Sequence, residues 1–335
     1  MDIREYTHAL IGCGRIAPVH KDALESLGVQ NIIYCDLQEA RARDLSQGGG
    51  PVFSDYRSIP CENLHGVSIC TDHASHLPLA DYFLKRGVSV IVEKPCCLPG
   101  ESIQDLFRKY PDPFPVFSQV AQHRYDSIVL FVRELIRKGK MGRLVMGDFT
   151  LYCRRMEDYF MKSPWKGKFA TEGGSAMINQ AFHLVDLVSF LFGRPRKVES
   201  ILGNHYLKDV IETDETGFVL FHYNDFSVSL KATICSSETW MTRLDVIGDA
   251  GMVSFSIDEP FEFYHYSDSL RNDVERFLAE NAEDCISVSP NGYFGNSHKK
   301  QIRSFVESVL AGRSIGLPGR DAIIDTQKLI NSIYL

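Results

Sequence analysis

Ala9-Leu-Ile-Gly-Cys-Gly-Arg-Ile-Ala17 decides the fold of this chain. The apolar run Ala9, Leu10, Ile11 reads as the end of a strand, Gly12-Cys-Gly14-Arg-Ile-Ala17 as a tight turn, and the residues to about Leu27 as a helix. The turn matches G-x-G-x-x-(G/A), the dinucleotide fingerprint. Gly12 permits the turn, Gly14 leaves room for a pyrophosphate, Ala17 lets helix pack on strand, and the first helical amides face the phosphates. Small residues at strand ends also occur in turns that bind nothing, so a second signal is needed. Asn31-Ile-Ile-Tyr-Cys-Asp36 supplies it. This apolar run ends in an acid about twenty residues past the glycines, where a carboxylate takes the adenine ribose hydroxyls. Asp36 followed by Leu37 favours NAD over NADP, because a carboxylate there repels a 2'-phosphate; Arg41 and Arg43 lie close enough to keep NADP as the alternative.

A chain of 335 residues exceeds one ordinary core and suits two domains. With 44% hydrophobic and 24% charged residues, it has the balance of a globular protein with a sizeable core. A formal charge of -7 with no basic run argues against a nucleic-acid surface. No apolar run approaches the roughly 20 residues of a membrane helix, and Met1-Asp-Ile-Arg-Glu has no signal-peptide core. The expectation is a cytoplasmic protein. Nine cysteines, none in a C-x-x-C pair, read as buried small hydrophobes in a reducing compartment; neither a disulfide frame nor a metal site is expected.

From Tyr6 to about Val120, apolar runs at 7–12, 31–36, 66–71, 88–93 and 116–120 alternate with helical segments. That alternation predicts a Rossmann-type doubly wound parallel sheet over residues 1–121, with ligands bound beyond the carboxyl ends of the strands. Two segments just past strand ends stand out: Thr71-Asp-His-Ala-Ser-His76 and Glu93-Lys94-Pro95. A lysine fixed at a strand end by the proline behind it can polarise or protonate a substrate oxygen. The plain alternative is a loop lysine.

The combination of Gly12-x-Gly14-x-Ile16-Ala17, Thr71 with His76, and Glu93-Lys94-Pro95 resembles the glucose-fructose oxidoreductase/inositol dehydrogenase (Gfo/Idh/MocA) family. The resemblance implies that Lys94 is catalytic and that NAD is held by Gly12, Cys13, Gly14, Arg15, Ile16, Asp36, Thr71, His76, Glu93, Lys94 and Gln122. Arg124, in the segment Gln122-His-Arg-Tyr125, is a further candidate beside the nicotinamide; a polar hinge is the alternative for this segment. The chain departs from the family at Asp72, where a proline is usual, which puts the adenine-ribose side of that loop in doubt.

Residues 122–335 read as an α+β domain for substrate binding and oligomerisation. A helix from Ser127 to about Lys138 and a long strand from Arg143 to Arg155 precede an aromatic loop, Asp158 to Gly167. In the helix that follows, Asn179, His183 and Asp186 are spaced i, i+4, i+7, which puts an amide, an imidazole and a carboxylate on one face. A structural histidine is the ordinary reading, but the upstream Glu-Lys-Pro and the glycine pair favour catalysis by His183. Trp165-Lys-Gly-x-Phe with Asn179-Gln-x-x-His183 resembles the family's subgroup that oxidises the 3-hydroxyl of UDP-N-acetylglucosamine or its uronic acid. Many inositol dehydrogenase-like members have Asp where this chain has Asn179. A neutral amide holds a sugar hydroxyl but does not raise a lysine's pKa as a carboxylate does. Arg154, Arg155, Tyr159 and Trp165 are substrate candidates, arginine suiting phosphate by its forked donors.

Strand-like runs between Lys197 and Ile257, separated by Asn224-Asp225 and Gly248-Asp-Ala-Gly251, predict a large open, mostly antiparallel sheet. One face of such a sheet must be covered, and the family covers it by pairing subunits, which implies a homodimer or homotetramer. Tyr293-Phe-Gly-Asn-Ser-His298 resembles the family's late substrate-side segment, against a plain helix cap by Asn296 or Ser297. The expected function is NAD-dependent oxidation of a secondary sugar hydroxyl, most simply C3 of a UDP-N-acetylhexosamine. The alternatives are a cyclitol or free-sugar dehydrogenase, an NAD-dependent glycosidase using transient C3 oxidation, and a non-catalytic cofactor-sensing protein.

Overall fold

The computed structural model describes residues 2–112, 115–258, 260–283 and 296–335. It divides into two units, Met1–Gln122 with Asn296–Ile324 and His123–Gly295 with Asp325–Leu335. Residues 296–324 return to the first unit because helix Ser297–Ala311 carries an apolar stripe of Ile302, Phe305, Val306 and Val309, which fills a core with Tyr6, Leu10, Leu24 and Ile91.

The first unit holds β1 (Thr7–Ile11), α1 (Ala17–Ser26), β2 (Asn31–Cys35), α2 (Glu39–Ser46), β3 (Val52–Phe53), β4 (Gly66–Ile69), α3 (His73–Leu84), β5 (Ser89–Val92), α4 (Ile103–Lys109) and β6 (Phe117–Gln119). The strands form a parallel sheet in the order β3-β2-β1-β4-β5-β6, so the order reverses between β1 and β4. β4 and β5 are buried along their whole length, which is why they read as unbroken apolar runs. Gly12 has φ +89°, and a Cβ there would stand 2.7 Å from the Cys70 carbonyl oxygen at the end of β4, so only glycine fits this turn. Asp72 stands at the N-cap of α3, accepting the Ser75 backbone N–H at 3.2 Å and its hydroxyl at 2.8 Å. That cap is what the chain gains from its departure at this position.

The second unit holds α5 (Ser127–Arg137), β7 (Leu144–Arg154), α6 (Glu157–Met161), α7 (Phe182–Phe192), β8 (Lys197–Gly203), β9 (Thr216–His222), β10 (Ser227–Thr233), β11 (Cys235–Gly248), β12 (Met252–Phe255), β13 (Phe263–Tyr266) and α8 (Arg271–Glu280). Its seven-stranded sheet runs β13-β12-β11-β7-β10-β9-β8. Every pair is antiparallel except β7 with β10. Alternate residues of β9 and β10 are buried against Phe182, Val185 and Val188 of α7. The opposite positions leave Ile201 75% and Phe218 54% exposed beside Met146 and Leu220, an uncovered apolar face. The last two helices are α9 (Ser297–Ala311) and α10 (Arg320–Tyr334). Of the segment expected on the substrate side, 293–295 lie outside the described residues, and His298 is buried in α9 of the first unit. No helix among the described residues is long and apolar enough to cross a membrane.

Candidate active site

At the start of α1, a Cβ on Gly14 would meet no atom within 4 Å, and no side chain caps the helix. The turn therefore holds open space under helix-end amides, the cradle a pyrophosphate needs. Asp36 accepts the Cys13 N–H at 2.8 Å and the Gln38 N–H at 2.8 Å, one on each oxygen, which ties the turn to the end of β2. Each carboxylate oxygen has a further lone pair for a ribose hydroxyl. Leu37 beside it is 89% exposed, and Arg43 is paired with Glu39 on α2. The donor set fits a nicotinamide dinucleotide without a 2'-phosphate.

Lys94 follows β5 in a loop whose backbone is held at each residue. Glu93 N–H donates to the Ile69 carbonyl at 2.9 Å, Lys94 N–H to Glu93 Oε2 at 3.3 Å, and Cys96 N–H to Gln119 Oε1 at 2.9 Å. His76 Nδ1 lies 2.6 Å from the Pro95 carbonyl and Nε2 3.2 Å from that of Thr71. Burial lowers the His76 pKa, so the ring is neutral with one N–H, which the shorter distance assigns to Nδ1. His76 is fully buried with both nitrogens facing carbonyls, and Glu93 is buried and engaged with protein donors, so both side chains brace the strand ends.

In the second unit, the segment before α7 begins with a wide π turn, Ser175–Gln180, closed by Ala181 N–H donating to the Ala176 carbonyl at 2.9 Å. Such turns concentrate at functional sites because they offset the side chains that follow. Its orphan amides are met by Asp214, which accepts from Ser175 N at 3.0 Å and Met177 N at 2.9 Å. Glu172, fully buried, accepts from Gly167 N and from the Ser175 hydroxyl, both at 2.6 Å, and from the Asn179 amide nitrogen. Burial lifts the Glu172 pKa against these three donors. The Asn179 amide is thereby turned with its nitrogen toward Glu172.

His183, one turn past Asn179, has its ring edge-on to His123 with centroids 4.8 Å apart. His123 Nδ1 in turn lies 2.6 Å from the buried Asp126 carboxylate. Beside Asn179, Gln180 donates to the Tyr159 hydroxyl at 3.2 Å, and Lys166 Nζ stands 3.6 Å from the centroid of the Tyr159 ring and 5.6 Å from that of Trp165. The Arg155 guanidinium lies 5.3 Å from the Tyr159 centroid and 5.5 Å from that of Trp240. The second unit thus groups Arg155, Tyr159 and Trp165 about Lys166 and Trp240, with Tyr159 joined to Gln180, the neighbour of Asn179. Arg154, at the end of β7, is exposed and set apart from Arg155 by the alternation of an extended strand.

Asp186 and Arg124 do not join this group. Arg124 donates from Nε and Nη2 to the two Asp186 oxygens at 2.7 and 2.6 Å, and Thr326 donates to Asp186 at 2.7 Å. Their side chains are 8% and 3% exposed, so the pair is a buried brace. Gln122 is buried at the start of a 3-10 turn. Glu172 and Trp240 carried no sequence signal, since neither is set off by a helical period or a strand end; His123 and Lys166 lie inside the segments Gln122-His-Arg-Tyr125 and Trp165-Lys-Gly-x-Phe but were given no role of their own. Among the described residues, no group of three or more His, Cys, Asp or Glu is arranged to hold a metal ion.

Residues 7–111 match the oxidoreductase family with an NAD-binding Rossmann fold, and residues 129–254 match the GFO/IDH/MocA C-terminal domain. Inositol 2-dehydrogenase of Rhizobium meliloti (strain 1021) is 22% identical, over 92% of this chain and 98% of that protein. Among solved structures, the WlbA dehydrogenase from Bordetella pertussis, in complex with NADH and UDP-GlcNAcA, superposes with a TM-score of 0.82 at 20% identity, over 100% of this chain and 96% of that one. Levoglucosan dehydrogenase in complex with NADH and levoglucosan gives a TM-score of 0.77 at 18% identity, over 98% and 95%. At these identities the superpositions show a shared fold. With both domain models matched in order along the chain, the protein belongs to the Gfo/Idh/MocA family of NAD-binding oxidoreductases.

Proposed function

We propose that the enzyme oxidises the C3 hydroxyl of a UDP-linked N-acetylhexosamine or its uronic acid. The observation that carries this reading is Asn179, a neutral amide turned by the buried Glu172, one helical turn before His183. Gly12, Cys13, Gly14, Arg15, Ile16, Asp36, Thr71 and Gln122 would hold NAD, which supplies the hydride acceptor when bound. His183 takes the hydroxyl proton. Lys94 stabilises the alkoxide as its charge develops, an interaction stronger in the transition state than in the ground state. Asn179 orients the sugar, while Tyr159, Trp165 and Arg155, with Arg154 at the exposed rim, hold the rest of the substrate and its phosphates. The WlbA complex with UDP-GlcNAcA supports this substrate class.

The test is incubation with NAD and a panel of UDP-sugars, myo-inositol and free hexoses, with and without 2-oxoglutarate to recycle bound cofactor, followed by absorbance of reduced nicotinamide and by product mass. The expected result is a 3-keto UDP-sugar with its glycosidic bond intact. Turnover of myo-inositol alone makes the enzyme a cyclitol dehydrogenase, the activity named for the Rhizobium relative. Cleavage of the glycosidic bond makes it an NAD-dependent glycosidase, and either outcome rejects the reading.

The uncovered sheet face of Ile201, Phe218, Leu220 and Met146 is where two copies pair in this proposal, giving a homodimer or, with a second contact, a homotetramer. Light scattering behind a sizing column should return a multiple of the chain mass, and Phe218→Glu should reduce it; a wild-type monomer at micromolar concentration rejects the pairing. A cytoplasmic setting accords with the eight described cysteines, all free thiols.

A further inference from the structure

A line of buried hydrogen bonds crosses the first unit and ends at the residue before Lys94. Tyr6 Oη lies 3.0 Å from His8 Nδ1, His8 Nε2 2.8 Å from Ser68 Oγ, Ser68 Oγ 2.9 Å from His20 Nδ1, and His20 Nε2 2.9 Å from Glu93 Oε1. His298 brings its Nε2 to 3.7 Å from the same Glu93 oxygen. Tyr6, His8, His20 and Ser68 have no exposed surface, and His298 has almost none.

Burial works to raise the Glu93 pKa, but the His20 and His298 imidazoles facing the carboxyl outweigh it and hold it well below its ordinary range. An ionised carboxylate only accepts, so His20 Nε2 carries a proton. Burial lowers His8 to a pKa of about 3, which leaves that ring neutral with a single N–H. Ser68 has one hydroxyl proton for two imidazoles, so it donates to one and accepts from the other.

A buried polar line of this length is retained only where each member is satisfied, and apolar residues would pack the same volume more simply. What it holds is the loop bearing Lys94. Glu93 Oε2 takes the Lys94 N–H, and α9 braces the other side: Gln301, one turn from His298 on the same helix face, donates to the Gln119 carbonyl at 2.7 Å and accepts the Ala121 N–H at 2.9 Å. Gln119 Oε1 in turn takes the Cys96 N–H.

Resting on the reading of Lys94 as the catalytic lysine, we propose that His20 and His298 are positioning residues for Lys94, acting through the Glu93 carboxylate that both imidazoles face. Trace acetic anhydride labelling of the full chain at one pH, with and without NADH, reads the Lys94 amine against Lys85 by peptide mass spectrometry. Releasing the loop frees that amine to react. Glu93→Gln and His20→Gln should each speed Lys94 acetylation by about three- to tenfold, with the other lysines unchanged. If His20 acts through Glu93, the double variant is no faster than Glu93→Gln alone. An unchanged Lys94 rate in Glu93→Gln, or effects that multiply in the double variant, overturns the proposal. Should either variant lose its cooperative thermal transition, His298→Gln serves in its place, with a rise expected and no rise overturning. Turnover of Lys94→Ala on UDP-N-acetylglucosaminuronic acid tests the underlying reading separately: retained turnover removes the catalytic role and leaves the labelling result standing.

Discussion

Lys94→Ala lowers turnover by about 10²–10⁴-fold while NADH still binds within about twofold of the wild type. The size follows from what the ammonium does in the proposed reaction. Charge grows on the substrate oxygen as the carbon–hydrogen bond breaks, and a cation already in place stabilises that charge without reorganising. The turn at Gly12–Ile16 is tied to Asp36 through the Cys13 N–H, so the expected cradle for the cofactor keeps its shape. His183→Ala is expected to fall by a similar factor. If the two groups pass one proton, the double variant is little worse than either single one. Initial rates on the substrate found in the panel, with fluorescence titration of NADH, check all three. Wild-type turnover in either single variant rejects its assignment.

Asp186→Ala is expected to destabilise the second unit by about 3–5 kcal/mol, far more than an exposed carboxylate costs. Burial alone would lower the Arg124 pKa, but Asp186 outweighs it and holds the guanidinium above its ordinary value. Removing the carboxylate leaves that cation buried 62 residues from its lost partner in sequence, with Thr326 unable to neutralise it. Replacing both, as in Arg124→Met with Asp186→Leu, should cost much less, because no unpaired charge remains. Chemical denaturation followed by tryptophan fluorescence measures the difference. A loss below about 1 kcal/mol in Asp186→Ala would place the pair among weak surface bridges.

Much of the first unit was legible because parallel strands buried on both faces leave continuous apolar runs, three of them closed by glycine or an acid at Gly12, Asp36 and Glu93. The two-residue β3 was too short to leave a period, and α8 is charged along most of its length, burying only Val274 and Phe277. The periodicity of residues 297–311 showed which helix face is apolar, but not which core receives it, so the return to the first unit was hidden. In the candidate site, Asn179 and His183 stand out in the sequence by their spacing. Asp186 shares their stripe yet lies about 10 Å further along the axis from Asn179, where it meets Arg124. Helical spacing gives angle and says nothing of what faces each turn. The side chains of His76 and Glu93 turn inward, a matter of partners contributed by distant segments.

The helix Ser297–Ala311 bears on how this protein can be taken apart. A fragment ending at Gln122 would expose the pocket that receives Phe305 and Ile302, and would lose His298 and Gln301 from the lysine loop. Cofactor recognition in this chain therefore cannot be lifted out as an N-terminal cassette. Any graft, split or circular permutation has to carry the late segment with the early one, and translation of the whole intervening half must finish before the nucleotide fold can close.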